Sequence, residues 1–188
     1  MGIKDIIYIA FSYFIGAIPS GYLLAKYGTG IDIREFGSGN IGATNMARIL
    51  GKKFGTLTLL ADLLKSFFIV WLGIKLGFSE IIVALSAFMA LIGNGYSIFL
   101  GFKGGKGVAT SLGIYLALSW KIFLGAIVVY VLFQRLSKVS AVGSLAASVA
   151  VPFFTYFILP PHFFYVTLAM SALIIIKHSD NIRILCKK

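Results

Sequence analysis

From Ile81 to Phe102 the chain runs 22 residues without a charged side chain, and a run of that kind leaves few folds open. A helix needs about 20 predominantly apolar residues to cross the hydrocarbon core of a bilayer. Similar runs recur, and they predict spans at 6–25, 56–74, 81–102, 107–120, 122–134, 141–159 and 162–176. The second contains Asp62 and Lys65, which at i and i+3 share one helix face and can pair. The last two are separated by the turn residues Pro160 and Pro161. Charged residues make up 12% of the chain and apolar ones 59%. A water-soluble domain carries about a quarter of its residues as charges, so the solvent for this chain is lipid. The predicted class is an all-α integral membrane protein forming a single domain over residues 1–188, with no internal repeat.

The formal net charge of +11 would suggest nucleic acid in a soluble protein. In a membrane chain it is read first as the bias that orients spans, so no nucleic-acid partner is assigned. The stretches 107–120 and 122–134 flank Lys121, and they count as one crossing or two. With two, and seven spans in all, thirteen basic residues fall on one side: Lys26, Arg34, Arg48, Lys52, Lys53, Lys103, Lys106, Arg135, Lys138, Lys177, Arg183, Lys187 and Lys188. Lys4, Lys75 and Lys121 fall on the other, and Lys65 lies within a span. Six spans would scatter this asymmetry, so the expectation is seven, with the amino terminus outside and the carboxyl terminus cytoplasmic. Asp5 and the lack of a small-x-small site argue against the first span being a cleaved signal, and Ile6 argues against myristoylation of Gly2. Cys186 and two histidines are too few for a closed zinc site, so no metal is expected.

Four polar clusters lie on the basic side. Residues 37–48, Gly-Ser-Gly-Asn-Ile-Gly-Ala-Thr-Asn-Met-Ala-Arg, sit in a polar stretch of about 30 residues, a loop length more often functional than idle. Glycines allow backbone N–H groups to approach an anion, Ser38, Asn40, Thr44 and Asn45 add hydrogen bonds, and Arg48 adds a planar cation. A glycine-rich turn into an interfacial helix at 41–50 would use the same residues. Gly37, Gly39 and Gly42 also match the dinucleotide fingerprint, which is rejected because no strand precedes it. The second cluster, Gly101 to Thr110, places Lys103 and Lys106 among glycines that include Gly104 and Gly105 at the start of a helix, a phosphate-holding arrangement. It is not a Walker loop, since Gly107 stands where that motif has Ser or Thr. The third contains Ser140 and Ser144, which otherwise read as helix-start serines. The fourth is Lys177 to Arg183, with His178 and Asn181. Their convergence on one face predicts a single anion pocket. Asp62 and Lys65 read either as functional intramembrane charges or as a structural pair.

At these residues the chain resembles the bacterial membrane glycerol-3-phosphate acyltransferases that use acyl phosphate. The pattern Gly-Ser-Gly-Asn-x-Gly-Ala-Thr-Asn-x-x-Arg is complete from Gly37 to Arg48, and Phe-Lys-Gly-Gly-Lys-Gly-Val-Ala-Thr is complete from Phe102 to Thr110. Asp-x-x-Lys, the serine motif and His-x-x-Asn extend the likeness over essentially the whole chain. The resemblance implies seven spans in the bacterial inner membrane and a cytoplasm-facing site. It also implies substrates acyl phosphate and glycerol 3-phosphate among membrane lipids, and products 1-acyl-glycerol 3-phosphate and phosphate. No cofactor is required, because acyl phosphate is already activated. It implies catalytic roles for Ser38, Lys106, His178 and Asn181, and substrate or phosphate contacts for Gly39, Asn40, Thr44, Asn45, Arg48, Lys103, Gly104, Gly105 and Ser144. Ser140 aligns as an alternative to Ser144, and either His178 or a substrate phosphate oxygen serves as base. The chain departs from the pattern at Gly93 to Ser97, where the family usually has Gly-His-x-x-Pro. It departs again at Lys177-His178-Ser179, where Arg-His-Arg is usual. A transporter for an organic phosphate and a paralogue with another acceptor are the alternative readings. No span carries a small-residue dimer face, so the sequence assigns no oligomeric state.

Overall fold

The surface is largely apolar, while the interior combines an apolar core with many small polar side chains. Phe11, Trp71, Val128, Phe153 and Phe157 face outward, while Ser12, Thr58, Ser66, Ser86, Thr155 and Thr167 are fully buried. Lipid rewards this arrangement, because it solvates apolar side chains and leaves small polar ones to bond between helices. The computed structural model describes residues 1–187, which form helices joined by short turns, with no strand among the described residues. The helices are α1 (Ile3–Ala17), α2 (Ser20–Thr29), α3 (Ala43–Leu50), α4 (Lys52–Lys75), α5 (Glu80–Gly95), α6 (Val108–Leu118), α7 (Trp120–Ser137), α8 (Ser140–Ile158), α9 (Pro161–Lys177) and α10 (Ser179–Leu185). Five stretches are long and apolar enough to cross a membrane: Ile3–Thr29, α4, Glu80–Leu100, α7 and α8. α9 and α10 are bent by 60° at His178, and they count as a sixth only when the pair is taken as one broken span.

The first run, expected as one span at 6–25, is broken at Ile18 and Pro19. Proline has no N–H to give, so carbonyls at the break need other donors. The Lys65 ammonium donates to the Ile18 carbonyl at 2.7 Å, and the Ser97 hydroxyl donates to that of Ala17. Lys65 is also paired with Asp62 at 2.8 Å. The intramembrane charges are therefore tied to the broken helix. Next to the break, α1 lies almost backbone to backbone on α5. A Cβ added at Gly16 would come within 2.1 Å of the Ala90 carbonyl oxygen, and one at Gly93 within 2.2 Å of that of Tyr13.

The stretch expected to cross at 107–120 is a helix of only 11 residues, about 16 Å long against a core of about 30 Å. Its neighbour α7, expected at 122–134, runs 18 residues, and Ser119 in extended conformation separates the two. The start of α6 explains its shortness. Ser66, midway along α4, donates its hydroxyl to the Thr110 carbonyl at 2.7 Å, so α6 opens inside the bundle and the lysine loop before it is drawn inward. α8 and α9 are joined by polar bonds, Thr155 to Thr167 at 2.8 Å and the Ser171 hydroxyl to the Ser148 carbonyl.

Candidate active site

The glycine loop is shaped by one side chain. Asn45 is 2% exposed; its Oδ1 accepts the Ser38 N–H at 3.0 Å and its Nδ2 donates to the Phe36 carbonyl at 3.0 Å. Both ends of the amide are therefore spent on the loop. Gly37 is held at φ +61°, and a Cβ there would stand 2.4 Å from Asn45 Oδ1, which explains the glycine. Asn40 closes the next turn, accepting the Gly42 N–H at 2.9 Å. Ser38, Gly39, Thr44 and Arg48 are exposed. Thr44 and Arg48, four residues apart on α3, share its open face.

The lysine loop is seated on the end of α5. The Gly104 N–H donates to the Gly95 carbonyl at 3.2 Å, and the Gly105 N–H donates to that of Asn94 at 2.9 Å. These two amides, expected to reach a ligand, are occupied. Gly104 must be glycine because a Cβ there would lie 2.1 Å from the Asn94 carbonyl oxygen. The seat leaves Lys106 half-buried, with its ammonium donating to Asn181 Oδ1. α6 then begins after Gly107 with no side chain capping its first turn, so its amino end and Lys106 present positive potential together. Lys103 is exposed and has no such contact with the corner formed by α9 and α10.

That corner carries His178, which is 3% exposed. Its Nδ1 lies 2.8 Å from the Ile174 carbonyl. A carbonyl can only accept, so Nδ1 carries the proton and a neutral ring keeps Nε2 as an acceptor. Burial pushes the imidazole below its ordinary value, and the Lys106 charge pushes the same way against the Ile174 bond. Burial likewise lowers Lys106, with the nearby Arg48 and Lys177 cations adding to it and the Asp180 carboxylate opposing. Lys106, Asn181, His178 and Arg48 are thus neighbours in contact or field.

Ser144 lies apart from this group but close by. Its hydroxyl donates to the Ser140 carbonyl at 3.1 Å, while the Ser140 hydroxyl pairs with Tyr130 at 3.0 Å. Ser144 lines a slot between α6, α7, α8 and α9 that also touches Val108 and Ile174. The slot therefore places Ser144 between the start of α6 and Ile174, the residue whose carbonyl orients His178. Of the two serines left open by the sequence, Ser144 is the one on this slot.

Sequence reasoning missed two participants, Lys177 and Asp180. The Lys177 ammonium donates to the Gly95 carbonyl at 2.7 Å and stands 4.5 Å from the Tyr96 ring centre. The available signal was a basic residue directly before His178 at a helix end. The departure at Ser97 also acquires a role, since its hydroxyl caps the α1 break, whereas residue 94 seats the lysine loop through its main-chain carbonyl, which any side chain would leave in place.

Comparison with known proteins follows this geometry. The family described as glycerol-3-phosphate acyltransferase matches residues 6–188. A glycerol-3-phosphate acyltransferase of Geobacter sulfurreducens is 43% identical over 96% of this chain and 93% of its own, and one of Trichlorobacter lovleyi is 44% identical over 93% and 90%. The crystal structure of PlsY (YgiH), an integral membrane glycerol 3-phosphate acyltransferase, superposes in its glycerol 3-phosphate form with a TM-score of 0.94 at 33% identity, covering 98% of this chain and 92% of that one. Its lysophosphatidic acid form gives a TM-score of 0.92 at 32% identity over the same shares. With the matched motifs, the helical bundle and these relatives in agreement, this chain belongs to the glycerol-3-phosphate acyltransferase family.

Proposed function

We propose that this protein transfers a fatty acyl group from acyl phosphate to glycerol 3-phosphate, releasing 1-acyl-glycerol 3-phosphate and inorganic phosphate at the cytoplasmic face of a bacterial membrane. The observation that carries the reading is the convergence of Lys106, Arg48, Asn181 and a buried neutral His178 beside a slot leading between membrane helices. Both substrates are phosphate anions and one has an acyl tail, so a cationic pocket next to lipid suits the pair. Seven crossings, with the amino terminus outside, fit the thirteen-to-three division of basic residues.

In the reaction, the glycerol hydroxyl oxygen attacks the acyl carbonyl carbon and a C–O bond forms. His178 Nε2 takes the hydroxyl proton, and the bond from the acyl carbon to the phosphate oxygen breaks as phosphate leaves. Arg48 and Lys106 hold phosphate groups, Ser38 and open loop amides stabilise the oxyanion, and Asn181 orients the acceptor. Gly39 and Thr44 line the approach beside Arg48. Asn40, Asn45, Gly104 and Gly105 serve by shaping the two loops rather than by touching substrate. Ser144 borders the path of the acyl group.

Purified protein in detergent, given labelled glycerol 3-phosphate with a long-chain acyl phosphate or acyl-CoA, is expected to form lysophosphatidate from acyl phosphate alone. Product from acyl-CoA alone would refute the donor. No product from either, with glycerol 3-phosphate still bound, would favour transport and call for a liposome flux assay.

The seat of the lysine loop gives a second expectation. Gly104→Ala places a methyl group into the Asn94 carbonyl and displaces Lys106. A displacement of about 1 Å costs on the order of 100-fold in rate. Steady-state kinetics should show kcat/KM lower by roughly 10- to 100-fold, while the variant remains monodisperse in detergent.

A further inference from the structure

We propose that Lys177 is a positioning residue for acyl transfer, holding the lysine loop and the His178 corner in register through one shared carbonyl, that of Gly95. The proposal rests on the acyl-transfer reading above. Gly95 ends α5, where carbonyls lack partners within the helix. Its oxygen receives two donors from separate parts of the chain, the Gly104 N–H at 3.2 Å and the Lys177 ammonium at 2.7 Å. Gly104 stands two residues before Lys106, and Lys177 one residue before His178. A single atom therefore fixes the approach of the phosphate-binding cation to the imidazole.

The setting of Lys177 is costly for a residue without a function. A lysine at a membrane interface ordinarily extends its ammonium into water. This one turns inward, half-buried against Gly95 and the face of Tyr96. Its charge lies near Lys106, and it forms neither of the two ion pairs seen among the described residues, Asp32 with Arg34 and Asp62 with Lys65. The other tie between loop and corner is the bond from Lys106 to Asn181. That bond is given up when Lys106 turns to a substrate phosphate. The contact between Lys177 and Gly95 is the tie that persists through the reaction.

The test is a double-mutant cycle on the full-length protein in detergent, comparing wild type, Lys177→Met, Gly104→Ala and the double variant, with Lys177→Arg as rescue. Lys177→Met should lower kcat/KM by roughly 10- to 100-fold, mostly through kcat, and Lys177→Arg should restore most of it. Gly104→Ala meets the Asn94 carbonyl and so pushes the Gly104 N–H off Gly95, while Lys177→Met removes the other donor to Gly95; both break the same tie, so the double variant should be no worse than the poorer single one. A cation that merely stabilised the fold would lower the melting temperature, leave kcat of the folded protein unchanged and add independently to Gly104→Ala. Either unchanged kinetics or additive losses in an active background overturn the proposal. Absence of product from the wild type overturns the acyl-transfer reading and this proposal with it. If Lys177→Met does not fold, Lys177→Gln carries the same cycle.

Discussion

His178→Ala is expected to lower turnover at saturating acyl phosphate and glycerol 3-phosphate by about 100- to 10,000-fold, the range typical for loss of a positioned general base. The bond from Nδ1 to the Ile174 carbonyl fixes the tautomer, and burial holds the ring neutral, with a pKa below its ordinary 6.5. The active form is the unprotonated one, so its population is full above that depressed pKa and falls as pH drops through it. The wild-type profile of kcat/KM should therefore stay flat around pH 7 and decline on the acid side, with a midpoint below 6.5. His178→Ala should lose that decline along with the rate. Near-normal turnover in the variant would mean that a substrate phosphate oxygen accepts the hydroxyl proton and that His178 only shapes the corner.

The sequence made the bundle legible but not its interruptions. An uncharged run records that lipid surrounds a segment, and lipid is indifferent to whether the segment is one helix or two. The break after Ala17 depends on Pro19 together with donors from Lys65 and Ser97, which lie 47 and 80 residues away from the carbonyls they serve. The short α6 has the same origin. Its composition suits a crossing, yet its start is set by the contact of Ser66 with Thr110 across 44 residues.

The site shows a parallel division. The family resemblance implied Lys106, His178 and Asn181, and the fold brings them together. Spacing could not say which polar groups face a ligand and which hold the backbone. Asn45 and the Gly104 and Gly105 amides read as phosphate contacts because they belong to glycine-rich motifs, but tertiary neighbours occupy them. The role of Lys177 was hidden for the converse reason, since its position before His178 is legible but its partner is a main-chain carbonyl that no residue type announces.

The largest expected loss of stability is at the intramembrane pair. Asp62 and Lys65 are 2.8 Å apart with side chains about 10% exposed, so truncating Asp62 alone leaves an ammonium without its countercharge. Breaking one partner of a buried pair costs about 3–5 kcal/mol, and Asp62→Ala should shift the SDS-unfolding midpoint accordingly. Removing both charges with Asp62→Ala and Lys65→Met should recover part of that loss, because the stranded cation is gone. It should not recover all of it, because the Ile18 carbonyl then keeps only the Ser20 N–H at 3.0 Å and loses its bond from the Lys65 ammonium, and a hydrogen bond to a charged group contributes about 1.5–3 kcal/mol. The expected order is therefore wild type, double variant, Asp62→Ala. A double variant as stable as wild type would mean that Lys65 contributes nothing to the broken helix. A double variant less stable than Asp62→Ala would mean that the bond from Lys65 to Ile18, rather than the ion pair, is the dominant tie. Since that break sets where Ser97 and the end of α5 lie, the order of stabilities also measures how far the lysine loop depends on a charge pair outside the reaction.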